Sequence, residues 1–162
     1  MRRRAGLNFN VMKTCILLLG LFVLLVFCSV AAWAVDAFRV TVDRRTFLRA
    51  IGEVESGGRD HAVGSAGERG RYQLTRGVWA QHTLADFKLA HRPGFAYAVA
   101  EKHFDWLLGG LLAADYPANV RFMAAAWNAG LSAVVNRRVP KESWEYADRV
   151  ENLYEAMEAQ KR

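Results

Sequence analysis

The chain has 162 residues, 52% apolar and 23% charged, with 22 Lys and Arg against 16 Asp and Glu for a formal charge of +6. This composition excludes a disordered chain, and 13 Gly with 3 Pro exclude a collagenous or low-complexity one. A basic excess suggests nucleic-acid binding only where it belongs to the folded domain, and here its position argues otherwise.

Arg2, Arg3, Arg4 and Lys13 fall within the first 34 positions, which contain no Asp or Glu, so the rest carries 18 basic against 16 acidic residues, a net of +2. Cys15 to Val35 is an uncharged run of 21 residues, long enough at about 1.5 Å per residue to span a bilayer core of about 30 Å. A basic start, an apolar run and Ala32-Trp33-Ala34 follow the order of a secretory signal cleaved after Ala34. Uncleaved, residues 15–35 would instead contact the inner membrane as an anchor. Either way the basic end stays cytoplasmic and residue 35 onward lies across the cytoplasmic membrane. Residues 1–34 are thus read as signal peptide or N-terminal anchor, and 35–162 as one domain. Both cysteines, Cys15 and Cys28, fall in the leader, which leaves the domain without a disulfide, a Cys-metal site or a thiol nucleophile.

The domain reads as helical throughout. Phe47, Leu48, Ile51 and Val54 form an apolar stripe from Thr46 that Gly57-Gly58 ends. Residues 59–77, rich in Gly, read as a loop or short irregular ribbon. Helices are expected over Val78 to about His91 and Phe95 to about Ala114, with Gly109-Gly110 as a weak spot. Pro117 suits the first turn of the next helix, which ends at Gly130; a short apolar piece follows over Leu131 to Val135. Pro140 and Ser143 precede a last helix carrying Trp144, Val150, Leu153, Tyr154 and Met157. No segment alternates long enough for a sheet, so the fold class is all-α or mainly α, packed helix on helix.

Glu55 follows Ile51 by four and Leu48 by seven, which puts it on the apolar face, in the last turn before Gly57. Burial and the negative end of the helix dipole both favour its protonated form, as a general acid requires. The alternatives are a solvated head at the stripe's border or a pair with Arg59 at i+4.

Four blocks then stand in order: Ala50-Ile51-Gly52-Glu53-Val54-Glu55-Ser56-Gly57-Gly58, Gly67-Glu68-Arg69-Gly70-Arg71-Tyr72-Gln73, Ala125-Ala126-Trp127-Asn128-Ala129-Gly130 and Tyr146-Ala147-Asp148-Arg149-Val150. Together they resemble the soluble lytic transglycosylase (SLT) family, which has a goose-lysozyme-like fold and cleaves the glycan strands of peptidoglycan. The resemblance implies Glu55 as catalytic acid and then base, splitting the β-1,4 MurNAc-GlcNAc bond to leave 1,6-anhydro-MurNAc ends. It implies that Tyr146 orients Glu55, that Ser56 stands beside it, and that Gln73 and Asn128 hold sugar hydroxyls and acetamido groups. Tyr72 and Trp127 offer flat faces on which sugar rings stack, or else core packing.

The chain departs from the family's usual G-A-x-G-L-M-Q in its second block, which is charged here, and Trp127 replaces the usual Tyr. Glu68, in a stretch resembling the Gly-Asp-Arg-Gly of goose-type lysozymes, is a possible second carboxylate that would turn the reaction to hydrolysis; Asp60 is a weaker candidate. Arg71, Tyr72 and Trp127 also leave open a non-catalytic peptidoglycan-binding module. His61, His82, His91 and His103 are scattered without ligand spacing, so neither metal nor cofactor is expected. The expected partner is a glycan strand rather than nucleic acid, the expected state a monomer, and the expected location periplasmic, secreted or membrane-anchored facing the wall.

Overall fold

The structure, a computed structural model, describes residues 42–162. The leader reading of residues 1–34 lies outside them. The described residues form six α-helices, α1 (Arg44–Ser56), α2 (Arg76–His82), α3 (Pro93–Ala113), α4 (Val120–Ala129), α5 (Leu131–Val135) and α6 (Lys141–Ala159), with a 3₁₀ turn over Phe87–His91. No strand occurs among them; isolated antiparallel bridges pair Val63 with Arg69 and Arg69 with Leu74 in the glycine-rich segment. The chain is mainly helical, as its periodicity predicts.

Helix α1 has strong end signals. The Asp43 carboxylate accepts from the Thr46 N–H at 2.8 Å, an N-cap that satisfies one of the orphan donors of the first turn. At the other end Gly57 takes the left-handed conformation at φ +63°. Its N–H donates to the Glu53 carbonyl and that of Gly58 to the Gly52 carbonyl, so the left-handed turn satisfies two of the last carbonyls of the helix. Between these ends Phe47, Leu48 and Ile51 are fully buried, each stabilising the fold by about 1.5–3 kcal/mol. They join a core that includes Met123, the alanine run 124–126, Ala147 and Val150. α4 packs along α6, and α1 lies against α6.

Three boundaries differ from the sequence reading. The helix expected over residues 78–91 is two pieces: Thr83 ends α2, its hydroxyl accepts from the Ala85 N–H, and Trp79 Nε1 donates to the Ala85 carbonyl. Asp86 then caps the 3₁₀ turn through the Lys88 N–H. Pro117 precedes α4 instead of opening it, because the Asn119 side chain accepts from the Phe122 N–H and takes the N-cap. Ser143 lies inside α6, buried in its first turn. Gly109 and Gly110 do not break α3. A Cβ at Gly110 would collide with Leu131 Cδ2, so this glycine permits the close approach of α5.

Candidate active site

Glu55 emerges at the C-terminal end of α1, where the helix stop turns the chain into the glycine-rich segment. Beside it is a cleft of about 300 Å³ lined by Glu55, Gly64, Glu68, Gln73, His103, Trp127 and Asn128 among others. The end of α1, the ribbon after it, His103 of α3 and the end of α4 therefore meet here.

The Tyr146 hydroxyl, from α6, donates to Glu55 Oε1 at 2.8 Å. Burial raises the Glu55 carboxyl above its ordinary value; the Tyr146 hydrogen bond opposes the shift, the negative charge of Glu68 adds to it, and the positive charge of Arg149 opposes it. Desolvation dominates, which favours the protonated acid. Tyr146 is itself 5% exposed, and burial, then the neighbouring Glu55 charge, pushes its phenol well above the usual range. It stays a neutral donor.

Gln73 faces the cleft with backbone φ +44°. A non-glycine residue in the left-handed region is uncommon and costs about 1–3 kcal/mol, a strain often found at functional sites. Its Nε2 donates to the Gly70 carbonyl at 2.8 Å. A Cβ at Gly64 would collide with both Glu68 Oε2 and Gln73 Oε1, so these two side chains converge over that glycine. Glu68 Oε2 also accepts from the Ala66 N–H at 3.1 Å.

The model of the transglycosylase SLT domain family matches residues 37–148. The chain belongs to that family. No curated protein sequence matches it significantly. The SLT domain is of the lytic transglycosylase type, which cleaves peptidoglycan, and its fold here is the lysozyme-like helical one.

Not every residue nominated from the sequence lines the SLT cleft. Glu55, Gln73, Trp127, Asn128 and Glu68 do, and Tyr146 reaches it through Glu55. Ser56 does not; 4% exposed, its Oγ lies 2.9 Å from the Arg71 carbonyl and accepts from the Arg59 N–H at 3.0 Å. It fastens the helix end to the ribbon. Tyr72 is likewise absent from the lining and 6% exposed, with its phenol pushed up to about 12, chiefly by burial. Trp127 packs edge-on against Phe47 in the core as well as facing the cleft.

Two alternatives drawn for the carboxylates fall away. Arg59 donates its Nε–H to the Ser56 carbonyl, whereas Glu55 takes Tyr146. Asp60 pairs with Arg71 at 3.0 Å and lines a different hollow. A larger cavity of about 630 Å³, walled by Tyr116, Phe122 and Trp144, holds none of the nominated residues. The sequence reading passed over His103, which lines the cleft and hydrogen-bonds His82. The i,i+4 periodicity of α3 could have placed it on the face shared with buried Val99 and Leu107, but nothing in the pattern said that a cleft opens there.

Proposed function

We propose that this protein is an exported lytic transglycosylase that splits the β-1,4 MurNAc-GlcNAc bond, with Glu55 as acid and then base. The hydrogen bond from Tyr146 to a desolvated Glu55 at the edge of a polar cleft carries the reading. Protonated Glu55 delivers its proton to the glycosidic oxygen as the C1–O bond breaks and positive charge grows at C1. The carbonyl of the substrate's own N-acetyl group stabilises that centre from within. The carboxylate left on Glu55 then takes the proton of the 6-hydroxyl, whose oxygen closes onto C1. The products are a free 4-hydroxyl and a 1,6-anhydro-MurNAc end, and Glu55 is protonated again. No water enters.

Gln73 and Asn128 supply amides for hydroxyls and acetamido groups, and Trp127 an apolar face for a ring. Export through the 1–34 segment would bring the domain to the wall, where its substrate is.

One observation favours hydrolysis as a second reading: Glu68 shares the cleft and its charge acts on Glu55. Mass spectrometry of the products from purified sacculi separates the two. Anhydro-muropeptides are expected; reducing ends would mean that water is the acceptor, and no release at all would mean a binding module.

A further inference from the structure

We propose that the SLT cleft continues past Trp127 onto a second saccharide-binding surface built by His82, His103 and the exposed Trp106. This rests on the reading of the cleft as a glycan site and extends it along α3.

Trp106 is 44% exposed on α3 and so presents a flat aromatic face of the kind on which a sugar ring stacks. Its ring is not isolated. His103, one helical turn earlier, lies parallel to it at 12° with centroids 5.7 Å apart. The same imidazole meets Trp127 edge-on at 5.0 Å. His103 and Trp127 both line the cleft, so an aromatic track runs from it through His103 to the open face of Trp106. His82, from α2, closes the side, 6.5 Å from Trp106 between centroids.

The imidazole pair supplies the polar part. His82 Nε2 and His103 Nδ1 lie 3.0 Å apart, so one nitrogen donates to the other. Among the described residues every fully buried side-chain nitrogen and oxygen has a partner. No hydrogen bond within the described residues engages His103 Nε2; the ring is 5% exposed, and the cleft is the space that it lines. Burial lowers its pKa to about 4, helped by His82, and the ring is neutral near pH 7. A neutral imidazole beside an aromatic plane suits the hydroxyl or acetamido group of an uncharged sugar ring, with the ring's C–H face on the indole.

The test is binding of N-acetylglucosamine oligomers, from dimer to hexamer, to the full chain, followed by calorimetry. Wild type is expected to gain affinity with length until Trp106 is covered. Trp106→Ala should lose about three- to tenfold for the long oligomers, the size of one aromatic contact, and nothing for the short ones. Trp106→Phe should recover most of the loss. Equal affinities of wild type and Trp106→Ala at every length overturn the proposal, as does a wild type that binds no oligomer. Sacculus products report separately on the reaction: anhydro ends with length-independent binding leave the mechanism standing and remove only the extension. Length-dependent loss without cleavage keeps the extension and removes the reaction.

Discussion

Tyr146 and Glu55, 91 residues apart in sequence, are joined by a 2.8 Å hydrogen bond from phenol to carboxylate. A second tyrosine of α6, Tyr154, accepts from the Asp43 N–H at 2.8 Å. α6 therefore holds α1 at both ends, and the Glu55 carboxyl is placed by a contact from the last helix, not by its own helix alone. Tyr146→Phe keeps the ring and removes the tether. It should lower kcat/KM about tenfold to a hundredfold, the worth of a hydrogen bond to a charged group. Since that bond lowers the Glu55 pKa, its loss raises it further, and the falling alkaline limb of the pH profile should move to higher pH. A limb that stays in place would mean that the acid titrating there is not Glu55.

Glu55→Gln should abolish release of muropeptides, a loss of about 10²–10⁴-fold for a single acid-base group. Its effect on stability has the opposite sign. Burial raises the Glu55 pKa in the folded state, so the native protein binds a proton that the unfolded chain has already given up, and stability falls as pH rises between the two values. Gln cannot ionise and still accepts from Tyr146. The variant should melt higher than wild type near neutral pH, and the gap should close toward pH values below the ordinary carboxylate range. Equal melting temperatures across that window would show that the carboxyl is not desolvated.

Much of this arrangement was legible beforehand, for definite reasons. The stripe of α1 and the Gly57-Gly58 stop are local signals, and they put Glu55 at a helix end facing the core. The break after His82 was not legible, because residues 78–91 contain neither Gly nor Pro; it depends on Thr83 and on a Trp79 indole that finds the Ala85 carbonyl only in the folded chain. Tyr146 was nominated by family resemblance, since no periodicity relates it to residue 55. The same holds for the role of His103, which emerges only where α2 and α3 meet.

Glu68 offers a test of mechanism. Its charge raises the Glu55 pKa, so Glu68→Gln should move the alkaline limb of the activity profile to lower pH. If the 6-hydroxyl of the sugar is the acceptor, anhydro ends remain the product and activity near the optimum changes by only about a few-fold, the scale of one charge interaction across a solvated cleft. Disappearance of product altogether would assign Glu68 the base and favour hydrolysis.

The ribbon itself has a structural weak point at Gly70. It is buried, has φ +74°, and a Cβ there would collide with the Ala90 carbonyl oxygen, which being backbone cannot swing aside. Its N–H also donates to the Ala62 carbonyl at 2.9 Å. Gly70→Ala combines an unfavourable φ with overpacking and should cost about 2–4 kcal/mol, read as a lower midpoint in urea at unchanged slope. A midpoint equal to wild type would show that the segment can move off Ala90 freely.

Ser56 separates a clamp from a ligand contact. If it touched the glycan, Ser56→Ala would raise KM and leave stability alone. The structure instead buries it and gives its hydroxyl the Arg71 carbonyl as acceptor and the Arg59 N–H as donor. The alanine variant removes the partner of both part-buried backbone groups, which should cost about 0.5–1.5 kcal/mol for each hydrogen bond lost. The loss is local first: Ser56 joins the end of α1 to the ribbon that carries Glu68 and Gln73, so amide exchange should accelerate between residues 59 and 73 before it does in α4 or α6. Turnover should fall with it, because Gln73, which lines the cleft with Glu55, is carried by the loosened ribbon. Unaltered exchange with a raised KM would return Ser56 to the substrate and leave the ribbon held by its bridges alone.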